Sequence, residues 1–143
     1  REGLASSAAA AGAIFFVGAG ICFVVASRRG SVVVSPNMLW TALLYPVWGL
    51  LQQVLVQGVV VRHLSRALPR TVVVLVAGTL FGLVHLPHLA LSGATAVLGV
   101  AFTIVFLRHR NVWALGLCHG WLGVLFYFWV LGRDPWWEMV SSL

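Results

Sequence analysis

The chain has 143 residues, of which 61% are apolar and 8% charged, with a mean hydropathy of +1.00. A soluble surface needs roughly a quarter of its residues charged, so a water-soluble globular domain is excluded, and disorder requires the opposite, low hydrophobicity. Nine arginines, no lysine and three acids leave a net charge of +6, but the arginines are dispersed between apolar runs, which argues against nucleic acid and for topology signals.

In chain order, an Ala-rich first span covers about Leu4 to Ala26 and is closed by Ser27, Arg28, Arg29 and Gly30. Its positive flank is a single Arg1 beside Glu2, too weak for a signal peptide, so it reads as a retained span. Span two, about Met38 to Val61, is entered through Ser35, Pro36 and Asn37 and closed by the basic stretch Arg62 to Arg70; Pro46 should bend it and open space beside its glutamines. Span three covers about Thr71 to Leu91. A turn at Ser92 and Gly93 precedes a short span four ending near Leu107. Span five runs from Asn111 to Gly132, and Arg133 to Leu143, with Trp136 and Trp137, suits a segment lying at headgroup level. The expected fold is therefore all-α, a polytopic transmembrane bundle of about five spans in one integral membrane domain over residues 1–143, with a polar core over 40–124.

With five spans, Arg1, Arg62, Arg66, Arg70, Arg108 and Arg110 fall on one side and Arg28, Arg29 and Arg133 on the other. The larger set predicts a cytoplasmic amino terminus; a bacterial inner or plasma membrane is the expected location. Cys22 and Cys118 both lie within apolar segments and read as packing residues, not as a disulfide. Trp40, Trp48 and Trp113 lie near span ends or one or two turns inside and read as interfacial anchors.

Polar side chains inside lipid are costly and turn toward the bundle interior, so mid-span ones mark a site. Span two has Gln52, Gln53 and Gln57, span three His85 and His88, and span five His119. Gly49, Gln53 and Gln57 recur every fourth residue and share one helix face. Gln53 and His119 each lie nine residues from a bounding arginine, roughly 13 to 14 Å deep, and are expected to be level. Gly78 and Gly82 precede His85 and Gly116 and Gly120 bracket His119, so each histidine shares a face with a close-packing groove.

The order and spacing of these residues resemble the CPBP family of intramembrane proteases, which includes the type II CAAX prenyl endopeptidases and bacteriocin-processing or self-immunity proteins. That family's pattern is EExxxR, then FxxxH, then HxxxN or HxxxD on successive motif helices. Here the first motif reads Gln52, Gln53 and Gln57, the second is intact as Phe81 and His85, and the third keeps His119 but has Gly123 in place of Asn or Asp. The resemblance implies catalytic positions at Gln52, Gln53, Gln57, His85 and His119, and substrate contact at Phe81 and Gly123. It also implies a hydrophobic or prenylated peptide, or a transmembrane partner, in the bilayer.

The departures bear on the chemistry. A carboxylate takes a proton from water; a carboxamide has no comparable basicity. Replacement of both glutamates and of the arginine removes base and charge partner together. A neutral imidazole, titrating near 6.5, can serve as base instead. Three readings follow: an atypical histidine-based peptidase, a pseudoprotease that holds a transmembrane peptide or lipid uncut, and a metal site in which His85, His119 and His88 bind zinc. No other cofactor is implied, and oligomeric state is left open. His63 and His109 sit beside loop arginines and read as interfacial.

Overall fold

The computed structural model describes residues 2–141; Arg1, Ser142 and Leu143 lie outside the described residues. Helix α1 spans Glu2–Arg29 and helix α2 spans Pro36–Leu64. Helix α3 is Arg70–Leu83, α4 is Leu89–His109, α5 is Trp113–Leu131 and α6 is Pro135–Ser141. Four of them, α1, α2, α4 and α5, are long and apolar enough to cross a membrane, while α3 is a shorter apolar helix of 14 residues. The protein is an all-α polytopic membrane bundle, with no strand among the described residues.

The helix ends follow from local chemistry. The Ser35 hydroxyl accepts from the Met38 N–H and Pro36 fills the first helical position, where a missing N–H costs nothing. The Asn111 carboxamide oxygen accepts from the N–H groups of Trp113 and Ala114 to open α5, after Arg110 turns the chain at φ 54°. Asp134 opens α6 by accepting from the Trp137 N–H at 3.0 Å, and its second oxygen accepts from Asn37 at 2.7 Å, docking this terminal helix on the start of α2.

The third and fourth spans differ from expectation. The third helix stops at Leu83 and not near Leu91, because Pro87 lacks an N–H and disfavours helical backbone before it. The turn therefore falls at Val84 to Pro87, and the fourth span is a full 21 residues. Ser92 and Gly93, expected to form the turn, lie inside α4. The Ser92 hydroxyl donates to the Gly82 carbonyl at 2.8 Å, satisfying one of the acceptors that the end of α3 leaves open.

Two glycine seams hold the bundle. A Cβ at Gly49 would lie 2.6 Å from both the Gly116 oxygen and the Gly120 nitrogen, so α2 and α5 touch backbone to backbone. Gly78, Gly82 and Gly99 bring α3 and α4 together in the same way. Pro46, expected to open space, is instead buried, with its Cα against Gly120. Apolar residues from α1 to α5, among them Val61, Val73, Phe102 and Leu115, fill the half of the bundle nearer Arg62 and Arg108. The other half has a cavity that opens on the outside of the bundle.

The second half of α2 winds as a wide π-helix from Val54 to Val61. This accounts for how Gly49, Gln53, Gln57 and Val61 can all be buried. At 3.6 residues per turn a four-residue step drifts by roughly 40°, and i→i+5 turns offset that drift.

Candidate functional site

Two faces of α2 divide the glutamines. Tyr45, Trp48 and Gln52, spaced i, i+3 and i+7, line a cavity of about 920 Å³ together with His85, His119 and Gly123. The remaining lining comes mainly from apolar residues of α1, α4 and α5. Gln53 and Gln57, on the next face, are fully buried and do not line it.

The Gln52 carboxamide oxygen lies 2.6 Å from His119 Nε2. An amide oxygen only accepts, so Nε2 of His119 carries the proton and its lone pair is on Nδ1, which is buried without a partner. His85 Nδ1 lies 2.7 Å from the Phe81 carbonyl oxygen and donates to it, which leaves the Nε2 lone pair of His85 unused by that bond. The Phe81 ring packs on both imidazoles, 5.2 Å from the His85 centroid and 5.1 Å from that of His119, edge to face with each. The intact second motif thus does two things. Its aromatic ring packs against both histidines, and its backbone fixes the tautomer of one.

The structure therefore brings together Gln52, His85, His119, Phe81 and Gly123, and sets Gln53 and Gln57 apart. Sequence depth put Gln53 level with His119, but the residue that meets His119 is Gln52, because the face of α2 carrying Gly49 and Gln53 is the one pressed on the α5 backbone. Gln57 instead donates to Thr103 Oγ1 at 3.2 Å, and Thr103 donates to the Gly99 carbonyl at 2.7 Å, a cross-link between α2 and α4. Neither polar atom of the Gln53 carboxamide has a hydrogen-bond partner among the described residues.

His88 does not join the other two histidines. It immediately precedes α4, exposed, and its Nε2 accepts from Arg133 at 2.8 Å, while Arg133 also pairs with Glu138 at 2.7 Å. Among the described residues no three His, Cys, Asp or Glu side chains gather closely enough to hold a metal ion, so the expected His85, His119 and His88 ligand set is not assembled.

Tyr45 escaped the sequence reading. A Cβ on Gly123 would lie 2.8 Å from the Tyr45 ring, so this ring fills the place beside the third motif that a larger residue would take. Its spacing from Gln52, seven residues on the same face, was the available signal. Trp48, read as an anchor, lines the cavity as well.

Residues 34–125, which contain all three motif positions, match the family Rce1-like, type II CAAX prenyl endopeptidase Rce1-like. The chain belongs to the Rce1-like family. Comparison with curated proteins and with solved structures finds no match. Membership places the chain among the CPBP intramembrane proteases and gives it an integral membrane, CAAX-protease-like character at the level of the family. Within the Rce1-like pattern, the site here is neutral: the cavity lining contains amide, imidazole and phenol but no carboxylate, and Asp134 and Glu138 are engaged outside it with Asn37 and Arg133.

Proposed function

We propose that the protein takes the apolar tail of a hydrophobic or prenylated peptide into the cavity and holds it without cutting it. The observation that carries this reading is the 2.6 Å contact of Gln52 with His119. At the position where the family pattern has its water-activating glutamate, a carboxamide faces the cavity and orients an imidazole, and it cannot take up a proton there. The cavity is apolar with a few convergent polar groups, the composition of a ligand site.

One observation favours a second reading, an atypical peptidase. His85 lines the cavity with an Nε2 lone pair that its bond to Phe81 leaves unused, and a neutral imidazole is a competent base near neutral pH. In that reading His85 deprotonates the attacking water, with the Gln52 amide N–H as a donor to the substrate.

One experiment separates them. Purified protein in lipid nanodiscs is given a farnesylated synthetic peptide, and both retention and product are followed by mass spectrometry. Saturable retention without product is expected, and retention should fall when Ala101→Trp fills the cavity wall. Product formed by the wild type and lost in His85→Ala would replace the first reading with the second. Absence of both retention and product would remove both.

A further inference from the structure

The basic end of the bundle holds a second, smaller recess. Gly58, Val59, Arg62, His63 and Arg66 line a cleft of about 270 Å³ on the outer side of α2. Arg62 lies in the last turn of α2 and Arg66 in the turn that follows it, and both line this recess with Gly58, so two guanidinium-bearing residues flank a floor that lacks a side chain. A Cβ at Gly58 would meet nothing closer than a Val54 methyl carbon at 3.9 Å, so the floor is open. Arg62, His63 and Arg66 are all exposed and none makes a side-chain hydrogen bond or ion pair among the described residues. The single ion pair among those residues, between Arg133 and Glu138, is at the opposite end of the bundle, as is Asp134.

We propose that this cleft binds the headgroup of an anionic phospholipid, its phosphate between Arg62 and Arg66 and its glycerol backbone over Gly58 and Val59. Three physical features select that occupant. The charge is uncompensated and positive, so the ligand is an anion. Guanidinium forks match phosphate oxygens bidentately. The cleft grades from cations at the helix end to the exposed apolar Val59 one turn nearer the bilayer centre, the same order as a phospholipid's headgroup and acyl chains. His63 adds a third donor on the rim.

The test uses full-length, delipidated protein in nonionic detergent, titrated with short-chain phosphatidylglycerol or phosphatidylcholine and read by native mass spectrometry. A single retained phosphatidylglycerol is expected, preferred over phosphatidylcholine. The pair Arg62→Gln and Arg66→Gln should lower its affinity about thirtyfold, roughly 2 kcal/mol at 1.4 kcal/mol per tenfold. Gly58→Leu changes no charge and fills the floor. It should weaken phosphatidylglycerol retention too, and this distinguishes a built cleft from general attraction to a basic surface. Retained helix content by circular dichroism identifies variants that fold. Equal retention of the two lipids, undiminished retention in folded Gly58→Leu, or full displacement by millimolar inorganic phosphate would each overturn the proposal, the last by assigning the cleft to free phosphate.

Discussion

Gln52 and Gln53 are neighbours with opposite energetic roles. Gln52 gives His119 Nε2–H its only acceptor among the described residues, so Gln52→Met should leave a buried donor unpaired and cost about 1–3 kcal/mol. Gln53 keeps an unpartnered carboxamide in the interior at 0% exposure, and Gln53→Met, of similar size, removes a desolvation penalty and should stabilise by about 1 kcal/mol or more. Reversible unfolding in mixed micelles reads both. Loss of stability in Gln53→Met would mean that this amide finds partners the present hydrogen-bond pattern lacks. Phe81 is the third residue whose truncation is diagnostic. Its ring is 1% exposed and packs edge to face on both imidazoles, so Phe81→Ala should cost about 3–5 kcal/mol and change the surroundings of both histidine rings. The measurement is the same unfolding curve together with histidine ring NMR shifts, and the second readout distinguishes a ring in contact with both imidazoles from a simple core residue.

At the scale of the elements, the glycine seams decide which helices can move apart. Gly49→Ala sets a methyl group against the α5 backbone and should destabilise by about 1–3 kcal/mol, whereas Gly20→Ala on α1, with nothing within 4 Å of the new Cβ, should be stabilising by about 0.5–1 kcal/mol. A melting series of the two variants checks the contrast, and equal effects would mean that α2 and α5 are not in backbone contact. The grooves at Gly78, Gly82, Gly116 and Gly120, the entry of α2 through Ser35 and Pro36, and the motif histidines were legible in the sequence, because small-residue spacing and helix-start chemistry are local. The end of α3 was not. Hydropathy runs unbroken from Thr71 to Leu91, so a window of apolar residues extended the helix through Pro87, and the bond from Ser92 to Gly82 that fixes the actual turn is a tertiary contact. The same limit hid which glutamine meets His119. Residues 52 and 53 differ by one step of about 100° around the helix, and only the pressing of Gly49 onto α5 selects between them.

For the whole molecule, charge and cavity define two unlike ends. Helices α2 to α5 alternate in direction, so Arg62, Arg66, Arg70, Arg108 and Arg110 gather at one end, while the other carries Arg28, Arg29 and Arg133 with both described carboxylate pairings. The packed core fills the half nearer the first end, and the cavity with Gln52, His85 and His119 lies in the half nearer the second. Arginine-rich ends stay on the cytoplasmic side because moving guanidinium groups across the hydrocarbon is costly. The expected arrangement is therefore a cytoplasmic Arg62–Arg110 end, with the cavity displaced toward the opposite leaflet. Single cysteines at Ala67 and Ser141, both exposed and at opposite ends, report this in a background where buried Cys22 and Cys118 are replaced by alanine. In right-side-out vesicles a membrane-impermeant maleimide should label Ser141→Cys and spare Ala67→Cys until the membrane is opened. Labelling in the reverse order would invert the protein, and would place the cavity on the cytoplasmic side, where it would meet a peptide tail entering from the cytosol directly. Labelling of both from the same face would contradict the alternation of α2 to α5 itself.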